Sequence, residues 1–158
     1  MRYILLDRIT FVQPGEVAKG IKCVSLTDEI LHDHFPDHPL LPGVLSIEAA
    51  AQLAGFLLEI SSPETTDPPK RALLVQIDKA KFHRPARPGD TLELFAQLKQ
   101  GMDGAARVDV GADIAGEKSM RGTLTFMLRE IPSERVHAQR RYLYELWTRD
   151  LDLQVKIR

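Results

Sequence analysis

The stretch DHFPDHPLLPGVLSIEAAAQ, residues 33–52, joins a proline-rich half to an almost wholly apolar half. Its first half carries Asp, His and Pro residues, which favour irregular structure because proline lacks a backbone donor. Pro42 and Gly43 then open a helix, since proline is well tolerated in a first helical turn. From Val44 to Ile60 the apolar residues fall on every side of a helical wheel. The stretch therefore predicts a loop that leads into a buried central helix.

Five strand-like runs flank this helix. They occupy residues 17–26, 72–83, 91–99, 105–115 and 117–128. Consecutive strands joined by short turns favour antiparallel pairing. The polar, proline-rich segment 61–70 is expected to be an exposed connection. We therefore predict an α+β fold, in which an antiparallel sheet packs against one long helix.

The chain continues past the last strand with a segment of different character. Pro132 and Ser133 indicate a helix start, because serine is a favoured N-cap. The apolar face of this helix is predicted to comprise Val136, Leu143, Leu146 and Trp147. We divide the chain into a domain of residues 1–130 and a helical extension of residues 131–158. The extension is predicted to pack on the domain, with contact to a carrier protein or another subunit as the alternative.

Composition argues against several classes of protein. The 158 residues carry a formal net charge of −1, which gives no reason to expect nucleic-acid or membrane-surface binding. Cys23 is the only cysteine, so neither an internal disulfide nor a cysteine metal cage can form. The apolar run Val44–Leu58 is judged too short and too polar to span a bilayer, and the first residues do not resemble a signal peptide. A cytoplasmic protein without membrane insertion is expected.

Glu48 and Gln52 interrupt the apolar helix. An ionised carboxylate in a dry core costs several kcal/mol unless it is paired or hydrated. Gln52 lies four residues after Glu48, so the two side chains share a helix face, and the amide could orient the carboxyl group or a water molecule. The alternative is that this face is exposed and that Glu48 is an ordinary surface residue.

Three histidines stand in the loop before the helix. His32, His34 and His38 alternate with Asp33 and Asp37, and imidazole is the commonest metal ligand. Their spacing fits no fixed zinc pattern, however, and an exposed acidic loop explains it equally well. We therefore expect no metal. A histidine in this loop and the carboxylate on the neighbouring helix remain a candidate acid–base pair.

Residues 34–52 resemble the signature of the β-hydroxyacyl-[acyl-carrier-protein] dehydratases, H-F-P-x-x-P-x-x-P-G-V-L followed by a Glu and an A-Q pair. The flanking segments LLDRITFVQPGEVAKGIKCVS and IDKAKFHRPARPGDTLEL are also similar to that family, so the resemblance covers about residues 3–128. It implies a hot-dog fold, in which an antiparallel sheet wraps a long central helix. It also implies a homodimer, or a trimer of such dimers, with active sites at the subunit interface.

The resemblance further implies removal of water from a (3R)-3-hydroxyacyl thioester to give a trans-2-enoyl thioester. His34 matches the base that takes the C2 proton, and Glu48 matches the carboxyl group that helps expel the C3 hydroxyl. In the family these two residues come from different subunits. The Gly43 N–H is expected to stabilise the thioester oxygen, and Phe35 and Gln52 are expected to contact the substrate. No cofactor is expected, because a thioester already acidifies the C2 proton.

The substrates of this family arrive on the phosphopantetheine arm of an acidic acyl carrier protein, so a basic mouth is expected. The segment KAKFHRPAR supplies Lys79, Lys81, Arg84 and Arg87. Strand alternation predicts that residues 79 and 81 share a face and line one rim. The alternative is that all four are solvated surface charges.

The sequence also departs from the family pattern. RALLVQIDKAKF lacks the tyrosine that can gate the tunnel, and Leu31, His32 and Asp33 replace residues that usually include an aromatic and a glycine. The tail has no counterpart. These departures favour a specialised lipid or polyketide pathway.

There are two alternative functions: a hot-dog acyl thioesterase, and a non-catalytic subunit that binds acyl groups or carrier protein. Glu48 argues against an added isomerase step, because that step goes with a His–Asp pair in a related branch of the family.

Overall fold

The computed structural model describes residues 3–62, 68–102, 104–153 and 157. Six strands, two α-helices and one short 3₁₀ turn make up this part of the chain. In chain order they are β1 (Arg8–Gln13), β2 (Val17–Cys23), the 3₁₀ turn (Glu29–His32), α1 (Gly43–Ser61), β3 (Lys70–Phe82), β4 (Thr91–Met102), β5 (Ala105–Ile114), β6 (Glu117–Glu130) and α2 (Glu134–Trp147).

The six strands form one antiparallel sheet in the order β1-β2-β4-β5-β6-β3. Helix α1 packs across this sheet and contacts β2 to β6. The predicted α+β architecture, with a long helix against an antiparallel sheet and a further helix at the end, is confirmed. β1 and β3 are the two edge strands of the sheet, so β3, the strand that follows α1, has one side unpaired within the sheet.

Helix α1 is buried on most of its circumference but not on all of it. Leu53, Phe56 and Leu57 are fully enclosed, whereas Val44 is 67% exposed. A stripe that includes Glu48 and Glu59 is only half-buried. The prediction of a helix apolar and buried on every side is therefore wrong for this one face. This face lies beside β3, the strand at one edge of the sheet.

The length of α1 also corrects the sequence-based judgement about membranes. The helix spans 19 residues, Gly43–Ser61, and is long and apolar enough to cross a bilayer by length and composition alone. Most of that span is buried inside the protein, as expected of the core helix of a folded domain. The apolarity of α1 is thus explained by packing against the sheet.

Strand β1 was not predicted, and its geometry shows why. The pairing of β1 with β2 shifts register between Ile9 and Phe11, which marks a β-bulge. A bulge interrupts the alternation of inward and outward side chains on which strand prediction depends. A tight turn follows β1, in which the Glu16 N–H donates to the Gln13 carbonyl and Gly15 adopts a φ of 77°. Glycine is favoured there because it accepts positive φ without steric cost.

Helix α2 begins where the sequence predicts, with the Ser133 side chain accepting a hydrogen bond from the Val136 N–H. Its predicted apolar face is only partly correct, because Leu146 is exposed. The buried side chains of α2 are His137, Leu143, Tyr144 and Trp147. Two of these side chains are polar, so hydrophobic periodicity alone could not assign them to the packed face.

A buried polar network fastens α2 to the core. The Glu59 carboxylate of α1 accepts hydrogen bonds from the Tyr144 hydroxyl at 2.7 Å, from Arg71 Nη1 at 2.7 Å and from the Ala72 N–H at 3.0 Å. Arg71 Nε also donates to His137 Nδ1 at 3.0 Å. The Glu59 and Arg71 side chains are each only 4% exposed. The predicted packing of the extension on the domain is therefore confirmed, and it depends on charged groups as well as apolar ones.

Candidate active site

His34 lies in a tight turn that fixes its imidazole. The Phe35 N–H and the His38 carbonyl hydrogen-bond at 3.1 Å, and the Leu40 N–H donates to the His34 carbonyl at 2.8 Å. His34 Nδ1 lies 2.9 Å from the Leu40 carbonyl oxygen. Because a carbonyl can only accept, Nδ1 must carry the proton, and Nε2 then has its lone pair available. This tautomer is the one required of a base that acts through Nε2.

The other residues of the histidine loop do not form a cluster around His34. His32 and His38 are exposed, while the His34 ring stacks on the Phe35 ring with centroids 4.3 Å apart. In the part of the chain that the structure describes, no group of His, Cys, Asp and Glu side chains is arranged to hold a metal ion.

Glu48 is held by Gln52 on the half-buried face of α1. Gln52 Nε2 donates to Glu48 Oε1 at 3.0 Å and to the Tyr3 carbonyl at 3.2 Å. Gln52 Oε1 accepts from the N–H groups of Leu5 and Leu6 at 3.0 and 3.2 Å. These contacts use both donors and both lone pairs of the amide. Gln52 thus ties the amino-terminal segment to α1 and orients the carboxylate of Glu48.

Tyr3 is a further neighbour of Glu48 that sequence reasoning missed. Its pKa is raised by partial burial first, and then by the charge of Glu48 and a hydrogen bond to the Glu48 carboxylate. No spacing or periodicity in the sequence links residue 3 to residue 48, because the contact depends on the path of the amino-terminal segment beside α1.

His34 and Glu48 both lie in described parts of the chain, and within the protomer they share no hydrogen bond. His34 is attached to the loop before α1, whereas Glu48 projects from the second turn of that helix. One protomer therefore presents the two groups separately. Whether they act together depends on how protomers associate.

Gly43 is the first residue of α1, and the preceding Pro42 provides no side-chain cap. N–H groups in a first helical turn have no acceptor within the helix and lie at its positive end. A Cβ atom at position 43 would lie only 2.7 Å from the ring of Phe82. The sequence explained this glycine by close approach of a thioester, and the structure adds that the glycine also makes room for an aromatic ring of β3.

The predicted basic rim is only partly regular. Lys79 has a φ of 50°, and the register of β3 against β6 shifts between Asp78 and Lys81. This bulge interrupts the two-residue alternation from which a shared face for Lys79 and Lys81 is predicted, so that shared face stays a prediction. Lys79, Lys81 and Arg87 are nevertheless all exposed.

Arg84 differs from the other three basic residues because its charge is committed within the chain. Its guanidinium lies 3.1 Å from Glu117 and 3.9 Å from Asp90, and it donates to the Ile114 carbonyl at 3.2 Å. These contacts join the loop after β3 to the turn between β5 and β6. Arg84 is therefore less available to an external anion than Lys81 or Arg87.

A groove of about 210 Å³ lies beside the half-buried face of α1. We call it the α1 groove. Its lining includes Glu48 and Glu59 from α1, Leu73 and Leu74 from β3, and Arg140 and Tyr144 from α2. The groove therefore carries the candidate carboxylate near one end and side chains of the carboxy-terminal helix near the other.

An antiparallel sheet around a long helix, with a carboxylate on that helix beside a groove, defines a protein of the FabA-like class, and the FabA-like domain matches residues 1–118. Similar proteins include the 3-hydroxyacyl-[acyl-carrier-protein] dehydratase FabZ of Natranaerobius thermophilus, which is 39% identical over 80% of this chain and 87% of its own. FabZ of Thioalkalivibrio sulfidiphilus is 37% identical over 83% of this chain and 90% of its own. The chain belongs to the FabZ family of 3-hydroxyacyl-[acyl-carrier-protein] dehydratases.

Solved structures agree on the fold. The dehydratase heterocomplex ApeI:P of Xenorhabdus doucetiae matches with a TM-score of 0.63 and 16% identity, over 87% of this chain and 90% of that chain. A hot-dog-like protein of Thermanaerovibrio acidaminovorans matches with a TM-score of 0.59 and 16% identity, over 81% and 89%. Thioesterase HI1161 of Haemophilus influenzae matches with a TM-score of 0.61 and 15% identity, over 80% of each chain. The predicted hot-dog fold is confirmed, but at these identities the fold does not separate dehydratases from thioesterases.

Proposed function

We propose that this protein dehydrates (3R)-3-hydroxyacyl groups carried by acyl carrier protein to trans-2-enoyl groups. Membership of the FabZ family supports the reaction class. The observation that carries the proposal is the placement of Glu48, a carboxylate oriented by Gln52 on the open face of an otherwise buried helix. A carboxylate maintained in such a position is typical of a site that must reach a substrate.

In the proposed mechanism, His34 Nε2 removes a proton from C2 of the thioester. The resulting charge moves to the thioester oxygen, which the Gly43 N–H stabilises at the positive end of α1. Glu48, in its protonated form or through a bound water molecule, gives a proton to the C3 hydroxyl. The C3–O bond breaks, water leaves and the C2–C3 double bond forms. Phe35, which stacks on the His34 ring, is proposed to contact the substrate, while Gln52 acts by orienting Glu48.

We infer that the complete site requires a second copy of the chain. Strand β3 is an edge strand that carries exposed apolar side chains, among them Leu73, Val75 and Ile77. An exposed apolar edge is a natural surface for pairing with another strand. In a symmetric dimer joined through β3, the partner's His34 would serve Glu48, and the partner would cover the α1 groove as a roof.

The acyl carrier protein is proposed to dock near the exposed Lys79, Lys81 and Arg87, where an acidic surface would find cations that form no ion pair with any described residue. The reaction is proposed to take place in the cytoplasm.

The chain is proposed to consist of a domain of residues 1–130 and an extension of residues 131–158. Assembly into a trimer of dimers is the alternative to a simple dimer.

The proposal is tested with two variants, His34→Ala and Glu48→Gln, assayed for hydration of enoyl thioesters. Each variant alone is expected to lose most of the activity, since each removes one of the two proton-transfer groups, and such groups contribute about 10²–10⁴-fold. The mixed and reassociated variants are expected to recover about a quarter of the wild-type activity, because half of the dimers then contain one intact shared site.

The outcomes separate the alternatives. No recovery on mixing would contradict a site shared between subunits. Release of free acid instead of an enoyl or hydroxyacyl thioester would indicate a thioesterase. A wild-type protein that binds acyl carrier protein but is as inert as both variants would indicate a non-catalytic binding subunit.

A further inference from the structure

The α1 groove has a defined far end. Its α1 lining extends from Glu48 to Glu59, and the rise of 1.5 Å per residue places these two positions about 16 Å apart along the helix. At Glu59 the groove reaches α2, where Arg140 and Tyr144 form part of its lining. We call these two residues the end wall. A linear chain that starts at Glu48 and follows α1 therefore points at the end wall.

The end wall is polar, unlike the β3 side of the groove. The Tyr144 hydroxyl donates to Glu59, and the charge of Glu59 is balanced by Arg71. Arg140 is half-buried and forms no hydrogen bond or ion pair with any residue that the structure describes, although its charge acts on Tyr144. The end wall thus carries one uncompensated positive charge. An apolar group pressed against this guanidinium would remove water from it without offering a partner, which is unfavourable.

The end wall is also held rigidly. His137 Nδ1 accepts from Arg71 Nε, and its Nε2 lies 2.8 Å from the Ile131 carbonyl, so both ring nitrogens are engaged. The Tyr144 ring packs edge-on against Phe56 with centroids 5.0 Å apart and also contacts Trp147. These contacts fix α2 from both its polar and its apolar side. The end wall is therefore part of the folded core and not a loosely attached tail.

Helix α2 lies outside the part of the chain that defines the family. The FabA-like domain matches residues 1–118, whereas α2 spans Glu134–Trp147. The end wall is consequently an addition by this chain to the shared domain.

We propose that α2 terminates the acyl-binding groove and that Arg140 limits the length of the acyl chain, so that the preferred substrates are short and medium 3-hydroxyacyl thioesters. This inference rests on the proposed function, because it assigns the groove to the acyl chain. A short chain leaves the Arg140 guanidinium hydrated, whereas a long chain must either displace it or end against it.

The test measures kcat/KM for thioesters of increasing length, from crotonyl to hexadecenoyl, in the hydration direction with the full-length dimer. Wild type is expected to favour the shorter members. Arg140→Ala should raise kcat/KM for the longest chain relative to the shortest by about tenfold, the size of effect that one or two methylene groups have in an apolar pocket. Arg140→Trp should shift the preference in the opposite direction.

Arg141→Ala is the matched control. Arg141 is the next residue on α2, but its guanidinium pairs with Glu134 and it does not line the groove. Its chain-length profile should equal that of wild type, and thermal melting should show that all three variants remain folded. If Arg140→Ala and Arg141→Ala show the same dependence of kcat/KM on chain length, the inference about Arg140 is wrong, but the proposed dehydratase function is unaffected. Inactivity of wild type on every chain length would instead refute the proposed function.

Discussion

At the scale of single residues, polar side chains in this protein are held by partners both near and distant in sequence. Glu48 is oriented by Gln52 and approached by Tyr3, and Glu59 receives a hydrogen bond from Tyr144. The sequence predicted the relation of Glu48 to Gln52, because four residues separate them on one helix. It could not predict the contacts of Tyr3 or Tyr144, since those depend on where the two ends of the chain pack.

Tyr144 provides a test by pH. Burial, and then the charge of Glu59, raises its pKa well above the usual value for tyrosine. A pKa raised on folding means that the native state holds the proton more tightly. The stabilisation is therefore complete below the unfolded-state pKa of about 10 and is lost as the pH rises above it. The free energy of unfolding of wild type should then fall by up to about 1.4 kcal/mol per pH unit more than that of Tyr144→Phe.

Chemical denaturation between neutral and strongly alkaline pH measures this difference. At neutral pH, Tyr144→Phe should cost about 1 kcal/mol or slightly more, because Glu59 loses one buried donor. Tyr142→Phe is the control, since Tyr142 lies on the same helix and is 64% exposed. Equal alkaline slopes for wild type and Tyr144→Phe would show that the Tyr144 hydroxyl is not the titrating group.

At the scale of elements, the sequence predicted α1 and five of the six strands because their apolar patterns are regular. It missed β1, whose bulge interrupts the alternation, and it placed Leu146 on the packed face of α2 where His137 and Tyr144 lie instead. Its apolar pattern favoured a helix enclosed on every side, whereas Glu48 and Gln52 left an exposed face as the alternative, and the half-buried face at these two residues agrees with that alternative.

The attachment of α2 depends on a charged pair, and its removal should be costly. Glu59→Ala breaks the ion pair with the buried Arg71 guanidinium and removes the acceptor of the Tyr144 hydroxyl. We expect a loss of about 3–5 kcal/mol in the free energy of unfolding. Glu145→Ala, which truncates an exposed glutamate of α2, should change it by no more than about 0.5 kcal/mol. A cost near that of the control would mean that apolar packing alone holds α2.

At the scale of the whole molecule, the family and the fold followed from residues 33–52 and their flanking segments, and both are confirmed. The active site is different, because His34 and Glu48 share no hydrogen bond within one protomer. A sequence motif that contains both residues cannot reveal whether they meet within a chain or between chains. The α1 groove was likewise not predictable, since it is bounded by three elements that are far apart in the sequence.

The proposed dimer is tested at the edge of the sheet. Ile77 on β3 is 49% exposed, and Ile77→Lys would place a charge in the middle of the proposed interface. We expect this variant to sediment as a monomer and to lose hydratase activity together with the dimer. Phe11→Lys is the matched control, because Phe11 is 45% exposed on β1, the opposite edge. Dimeric Ile77→Lys, or monomeric wild type, would contradict pairing through β3.

The contact between Gly43 and Phe82 affects the dielectric surroundings of the proposed reaction. A phenyl ring lies where a side chain at position 43 would otherwise project, so hydrocarbon forms part of the surroundings of this end of α1. Charge that develops on a carbonyl oxygen beside such a ring is screened less than it would be at an open helix terminus. The Gly43 N–H dipole then attracts that oxygen more strongly. Phe82 thus contributes to stabilising the proposed enolate, although it has no polar atom that could contact the oxygen.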